Sequence, residues 1–237
     1  MINERFIRTA AIYGTKASEI FSQSRIAIFG LGGVGSYAAE ALLRTGIGAF
    51  DVYDFDKYEL SNFNRQLYAT EQTLGISKTE AFRQRAAVIN PDARISCHTD
   101  KVTAENVKDI KFTEFHYIID AIDDFDAKMS IIESAVNARI PLISAMGAGF
   151  KTMPEKLKIS SIYKTSVCPL AKKVRLESRR RNLPDFCVVY SDEEKQSANL
   201  VYEQTETQII GSTAFVPSAM GLIIASKVIN DLKNMER

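Results

Sequence analysis

Four short stretches of this 237-residue chain carry residue types that do chemistry when a fold brings them together. The first is Ile26-Ala27-Ile28-Phe29-Gly30-Leu31-Gly32-Gly33-Val34-Gly35, an apolar run that passes directly into Gly-x-Gly-x-x-Gly. Glycines in such a turn let the backbone approach a phosphate, and the helix that follows offers free N–H groups to an anion. The second is Asp54, at the end of the next apolar run and roughly 20 residues on, the spacing of a carboxylate that accepts from ribose hydroxyls. The third is the loop Asp54-Phe55-Asp56-Lys57-Tyr58-Glu59-Leu60-Ser61-Asn62-Phe63-Asn64-Arg65-Gln66, with Lys78 on the helix beyond it. An oxidoreductase using NAD needs no such cations, whereas Arg65 and Lys78 aimed at a phosphate chain suit the charge that develops during nucleotidyl transfer. Further on, Asp120-Ala121-Ile122-Asp123-Asp124 ends another apolar run. A carboxylate there is placed to hold Mg²⁺, a hard cation that prefers oxygen ligands and substrate phosphates. Any one of these charges alone is what a solvated loop holds; their order together points to a nucleotide site.

Positioning these groups takes an α/β scaffold. Short β-rich runs alternate with longer helical ones, which predicts a mostly parallel central sheet with flanking helices and a C-terminal extension. Strands are expected at Arg25–Phe29, Ala49–Tyr53, Arg94–His98, Tyr117–Ala121, Pro141–Ala145 and Leu157–Ile162. Helical segments are expected at Glu4–Phe21, Gly33–Thr45, from Ser77 to a stop at Asn90-Pro91, at Ala127–Ala138 and at Leu170–Arg180. Ser77 and Glu80 have capping-box spacing, and a residue before proline disfavours the helix. Asp185–Asn199 reads as an irregular polar stretch, and Gly211–Lys233 as an apolar helical region broken near Pro217. With no repeat and no Gly/Ser linker, the expectation is a single domain over 1–237, its nucleotide-binding half 1–150 and its substrate-facing half 151–237 packed together.

Composition removes whole classes of function. Hydrophobic residues at 46% and charged residues at 25% are globular values that argue against disorder. Thirty Lys+Arg against 29 Asp+Glu leave a net charge of +1, so only a local basic patch could attract a polyanion. Cys97, Cys168 and Cys187 are odd in number and widely spaced, which fits neither a disulfide framework nor a CxxC zinc site. The opening Met-Ile-Asn-Glu-Arg lacks the pattern of a signal peptide, and no uninterrupted apolar run approaches the roughly 18 residues of a membrane span. The expectation is a cytoplasmic protein without a membrane partner.

The ordered set Gly30-x-Gly32-Gly33-x-Gly35, Asp54-x-Asp56, Ser61-Asn62-x-x-Arg65-Gln66, Gly75-x-x-Lys78 and Asp120-x-x-Asp123 resembles the ATP-dependent adenylating enzymes of the E1-like, ubiquitin-activating superfamily. That resemblance implies a Rossmann-like fold of the E1/ThiF type. It also implies that ATP is held by the glycines, Asp54, Asp56, Ser61, Asn62, Arg65, Gln66 and Lys78, with Asp54 on the ribose and Asn62, Arg65 and Lys78 on the triphosphate. Asp123 would coordinate Mg²⁺. Arg8 matches an arginine that in the family enters the neighbouring subunit's site, which implies a homodimer. Asp124 stands where many relatives have Asn.

The second half separates branches of that superfamily. Sulfur-carrier adenylyltransferases usually carry two CxxC zinc pairs, which are missing here. In their place, Lys172, Lys173, Arg175, Arg179, Arg180 and Arg181 crowd one predicted helix, where helical spacing brings cations near one face for phosphate contacts. This segment, Lys164-Thr165, Pro169-Leu170-Ala171 and Phe186-Cys187-Val188-Val189-Tyr190-Ser191 are similar to the tRNA threonylcarbamoyladenosine dehydratases. The resemblance implies cyclisation of the threonylcarbamoyl group at tRNA position 37. A carboxylate would attack the α-phosphate of ATP and expel pyrophosphate, and a carbamoyl nitrogen of the same group would then displace AMP. Arg65, Lys78, Arg8 and Mg²⁺ would stabilise the charge. The alternatives are an adenylyltransferase acting on the C-terminal glycine of a ubiquitin-like sulfur carrier, and a non-catalytic nucleotide- or NAD-binding module. A sulfur-relay protein is a further candidate partner. Cys187 is the candidate covalent nucleophile if a thioester forms, while Cys97, His98 and His116 read as structural.

Overall fold

The structure, a computed structural model, describes residues 3–196, 201–202 and 207–235. Its centre is a seven-stranded sheet of β1 (Arg25–Phe29), β2 (Ala49–Tyr53), β3 (Arg94–His98), β4 (Tyr117–Asp120), β5 (Leu142–Ala145), β6 (Leu157–Ser161) and β7 (Cys187–Ser191), in the order β3-β2-β1-β4-β5-β7-β6. All neighbours pair in parallel except β6, which runs antiparallel to β7. The inner strands are apolar on both faces, as a sheet covered on both sides requires. One face packs a core that includes Leu42, Phe82 and Ile224, the other a core that includes Met129, Ile132 and Val174. Strand order reverses at β1, whose neighbours are β2 and β4. In open α/β sheets that reversal leaves a crevice beyond the carboxyl ends of the strands, where ligands bind.

The helices are α1 (Ile7–Tyr13), α2 (Thr15–Gln23), α3 (Gly35–Thr45), α4 (Lys78–Ile89), α5 (Phe125–Asn137), α6 (Pro169–Arg180) and α7 (Phe215–Leu232). The leading segment expected as one helix is two, because Gly14 between them adopts φ +86°. Ser77 caps α4, its hydroxyl accepting from the Glu80 N–H at 3.3 Å. The proline near the C-terminus does not break its helix. Pro217 sits in the first turn of α7, where a backbone N–H has no intrahelical partner to lose.

The larger correction concerns Asp185–Asn199. Within it lies β7, inserted between β5 and β6, with Val188 and Val189 fully buried. Charged residues on both sides dilute this run of Cys-Val-Val-Tyr-Ser. Its β-branched and aromatic content is the signal that counted. Residues 197–199 lie outside the described residues. Because β6 and β7 complete the same sheet as β1–β5, the two halves of the chain share one framework. Two short strands, β8 (Val201–Tyr202) and β9 (Thr207–Gln208), pair antiparallel apart from it. Helix α7 is long and apolar enough to span a bilayer, but Met220, Ile224 and Val228 are buried in the core. Gly221 lets α7 lie against α3: a Cβ there would sit 2.3 Å from the Val34 carbonyl oxygen.

Asp120, expected at the edge of the nucleotide site, is instead fully buried with Lys128. The ammonium donates to the Asp120 carboxylate at 2.7 Å and to the Ala145 carbonyl at 3.1 Å, and the Ser144 hydroxyl donates to the same carboxylate. This knot ties the ends of β4 and β5 together from below. Removing one partner of a buried ion pair typically costs about 3–5 kcal/mol, since the other charge is left unpaired. Lys128→Met should therefore lower the urea-unfolding stability by about that amount. A loss within the ordinary range of surface substitutions, about 0.5 kcal/mol, would contradict the role given to the pair.

Candidate active site

Beyond the carboxyl ends of β1, β2, β4 and β5 lies a cleft of about 510 Å³. Gly30, Gly32 and Gly33 form its floor. Gly30 has φ +88°, and a Cβ on it would meet the Ala121 carbonyl oxygen at 2.8 Å. Gly35 is not on the cleft surface: a Cβ there would fall 1.8 Å from the Gly30 carbonyl oxygen, so this glycine lets α3 start directly against the turn. Nothing lies within 4 Å of the Cβ position of Gly32, which leaves open space over the backbone where a ligand would approach.

Asp54 stands beside that floor with its side chain only 7% exposed. One oxygen accepts the Leu31 N–H at 2.7 Å and the other the Asp56 N–H at 2.9 Å. Burial raises its pKa, against the pull of Lys78 and of those two backbone donors. Lys78 opens α4 and turns its ammonium back into the cleft. It lies 2.9 Å from Asp56 and 4.0 Å from Asp54. Asn62 also lines the cleft, and its side-chain oxygen accepts the Glu59 N–H, fixing the turn that carries Arg65. Ser61 does not line the cleft; its contribution is a carbonyl that accepts from Arg65 at 2.9 Å.

Arg65 differs from the other cations of the site. It packs against Gly33, and one nitrogen, Nη1, donates to Ser61 and to the Asn64 side chain, both at 2.9 Å. Among the described residues no carboxylate lies within ion-pair distance, and Nε and Nη2 have no protein acceptor. Half-burial without a compensating charge lowers its pKa. Beside it, Gln66 is buried with its Oε1 unpartnered. A buried acceptor and an unpaired cation in the same wall are the marks of a place prepared for a ligand.

Asp123 lines the opposite wall and is exposed. Asp124 is the N-cap of α5: it accepts the Ala127 N–H at 3.0 Å and lies 3.5 Å from Lys101, and these donors lower its pKa. Two wall segments carried no motif that sequence reasoning flagged. One is Asp100-Lys101-Val102 after β3, and the other is Gly147-Ala148-Gly149 after β5. Their position after parallel strands was the available signal. A few residues beyond the second segment, Thr152 and Met153 are held by the Glu193 carboxylate. Burial pushes this carboxyl up, but the N–H groups of Met153 and Thr152, the Gln196 amide and the Thr152 hydroxyl outweigh it and hold the pKa at about 2.

Other expected residues fall outside the cleft. Arg8 is exposed on α1 and does not line it. On α6, Lys172, Lys173, Arg179 and Arg180 are exposed, and Leu170 in the first turn reaches the cleft wall. Arg175 turns inward to the Thr165 carbonyl at 2.8 Å, while Arg180 and Arg181 pair with Glu177, and Arg181 also with Glu133. The six cations are thus not one free basic face. Arg179 lies over the Tyr163 ring.

Cys187 begins β7, beside Tyr117 and Asp231 at a second cavity of about 350 Å³. This is the amino-terminal edge of the sheet, opposite the cleft, and burial raises the thiol pKa. The geometry thus separates Cys187 from the nucleotide turn. Cys168 lies nearer, its sulfur 3.6 Å from where a Cβ on Gly147 would be, but it is buried. Cys97 bonds to the Thr79 carbonyl, His98 faces Asp51 at 3.2 Å, and His116 accepts the Arg25 N–H.

A glycine turn at the switch point, a buried carboxylate beside it and an arginine without a carboxylate partner among the described residues are the features of a nucleotide-binding protein of the adenylating class. The chain belongs to the ThiF family, whose pattern matches residues 4–236. It is 37% identical over 224 residues to the tRNA threonylcarbamoyladenosine dehydratase of Escherichia coli K12, covering 94% of this chain and 80% of that one. It is 35% identical over 239 residues to the enzyme of that name from Bacillus subtilis 168, covering 96% and 94%. The crystal structure of the E. coli dehydratase in complex with ATP superposes with a TM-score of 0.86 at 34% identity, covering 98% of this chain and 96% of that one.

The Glu193 anchor has a pH signature. A carboxyl with a folded pKa of about 2 and an ordinary value of 4.5 contributes stability that is present above pH 4.5 and lost as pH falls toward 2. The stability difference between the unsubstituted chain and Glu193→Gln should be largest near neutrality and shrink through that window. Thermal melts from pH 7 to pH 2.5 read it, and a difference independent of pH would contradict the anchor.

Proposed function

We propose that this chain is an ATP-dependent tRNA threonylcarbamoyladenosine dehydratase that activates the threonyl carboxylate by adenylation. The observation that carries the reading is Arg65: a half-buried cation with no carboxylate partner among the described residues, packed on the glycine turn of a cleft suited to a nucleotide. The full-length similarity to dehydratases, one of them crystallised with ATP, supports the same substrate.

The chemistry follows from reactivity. A carboxylate is a poor acyl donor because its oxygen is a poor leaving group. Its attack on the α-phosphorus of ATP forms a P–O bond, breaks the α–β bridge and releases pyrophosphate. A carbamoyl nitrogen of the same modification then attacks the activated carbonyl, loses its proton, closes the ring and releases AMP. Ring closure within one group has the advantage of effective concentration, so no protein nucleophile is needed. The residues have the tasks of positioning and of stabilising charge. The open backbone at Gly32 faces the phosphates, Asp54 takes the ribose, and Arg65 and Lys78 meet the charge that grows on the leaving pyrophosphate.

Among the described residues no cluster of three or more His, Cys, Asp or Glu could hold a metal alone. The single exposed carboxylate of Asp123 on the cleft wall fits Mg²⁺, which takes one or two carboxylates and completes its shell with phosphates and water. Asp123 is the residue that would hold it, and the ion would supply charge neutralisation on the phosphates. Arg8, exposed and away from its own cleft, is consistent with a homodimer in which each subunit completes its partner's site. The tRNA is proposed to lie along α6, with Lys172, Lys173 and Arg179 as phosphate contacts, and the shared sheet supports action as one domain. With a tRNA as substrate, the proposed compartment is the cytoplasm.

Incubation with ATP, Mg²⁺ and threonylcarbamoylated tRNA should yield AMP and pyrophosphate in step with cyclised nucleoside, and equal turnover with unmodified tRNA would reject the substrate. Arg65→Ala should lower the rate by about 10²–10³, the usual loss for one charge-stabilising donor. Charge reversal at Lys172, Lys173 and Arg179 should weaken tRNA binding and reduce its salt slope by about one unit for each phosphate no longer neutralised. ATP affinity should be unchanged, and unchanged tRNA affinity would move the RNA site off α6.

A further inference from the structure

Between the loop that carries Arg65 and the segment that leads into α7, one side chain makes a bond in each direction. Asn64 accepts from Arg65 Nη1 through its oxygen at 2.9 Å and donates from Nδ2 to the Ser212 carbonyl at 2.9 Å. Among the described residues it provides the sole hydrogen bond between residues 54–78 and the C-terminal segment from 207 onward. Ser212 itself lines the cleft. Its neighbours hold the same segment to the wall after β5. The Gly211 carbonyl accepts the Phe150 N–H at 2.8 Å, and the Thr213 hydroxyl donates to the Lys151 carbonyl at 3.4 Å. The Ile210 side chain lies across Gly149.

The chemistry of this contact is specific. A guanidinium is a rigid planar fork, so fixing one nitrogen fixes where the others point. Ser61 and Asn64 both take Nη1, and among the described residues Nε and Nη2 have no protein partner. The amide group does something that an ionised carboxylate, which only accepts, would not do. It offers an acceptor to the cation and a donor to a backbone carbonyl at the same time. Asn64 is exposed and contributes no burial to the core, so its two bonds serve orientation and not packing.

We infer that Asn64 is a positioning residue. It holds the Arg65 fork edge-on to the nucleotide phosphates and links that orientation to the Gly211–Ser212 segment, so that nucleotide binding on one side tightens the wall on the other. This rests on the reading of Arg65 as a phosphate contact. It adds a physical connection from the nucleotide half to the segment that closes the substrate end of the cleft.

The experiment is amide hydrogen exchange across residues 207–214 with and without ATP, on the unsubstituted chain, Asn64→Ala and Asn64→Asp, with ATP affinity measured alongside. In the unsubstituted chain ATP should slow exchange in this segment. Asn64→Ala should lose that protection while its ATP Kd rises less than about threefold and its melting temperature stays within about 2 °C, as for an exposed substitution. Asn64→Asp keeps an acceptor for Arg65 but has no donor for Ser212, and should lose the protection too. With modified tRNA, Asn64→Ala should lower kcat by about tenfold, with KM for ATP nearly unchanged, as expected when an orientation is disturbed and a binding group is kept. Protection that survives in both variants, or that never develops in the unsubstituted chain although ATP binds, overturns the link. An unsubstituted chain that does not bind ATP at all overturns the functional reading itself.

Discussion

The Asp54 carboxylate is the interaction on which the site depends. It reaches back to the Leu31 N–H in the glycine turn and forward to the Asp56 N–H in the next loop, and it lies 4.0 Å from the Lys78 ammonium at the start of α4. Three segments far apart in sequence thus meet at one buried group. Burial makes that charge costly, and backbone donors with a nearby cation are what keep a buried carboxylate serviceable. A carboxylate has about four acceptor directions. Two are used by the backbone, which fixes the group while leaving capacity toward the cleft.

The cations around it divide by partner. Lys78 is matched by Asp56 and Asp54, Lys101 by Asp124, and Arg180 and Arg181 at the end of α6 by Glu177 and Glu133. Such pairs are stable without a ligand and can give up a carboxylate when phosphate arrives. Among the described residues Arg65 has only neutral oxygens. None of them compensates its charge, which is why an incoming polyphosphate is proposed to gain most there. The ordering explains why one arginine, among 30 basic residues, carries the functional argument.

Much of this was legible in the sequence, for physical reasons that can be named. The glycine turn was readable because Gly30 and Gly35 have no room for a Cβ, so their identity reports backbone geometry directly. Asp54, Arg65, Lys78 and Asp123 were readable because their types and order match one chemistry, and the fold brings all of them to one cleft. Strand β7 was missed because a five-residue buried strand between charged flanks leaves little periodicity. The basic helix was over-read, since spacing shows which residues share a face but not which already have partners: Arg175 turns inward to Thr165. Cys187 was singled out by a local match, and only the strand register shows that it begins β7 at the far edge of the sheet. Asp120 sits in a motif with Asp123, yet strand alternation points it down onto Lys128.

On the proposed route the cleft joins an oxygen of the threonyl carboxylate to the α-phosphorus of ATP. Oxygen-18 placed in that carboxylate of the modified tRNA tests it directly. Mass spectrometry of the nucleotide product should find one labelled oxygen in AMP, carried over when the acyl–oxygen bond breaks on ring closure. Unlabelled AMP with the label lost to water, or ADP as the product with the label in inorganic phosphate, would contradict that route.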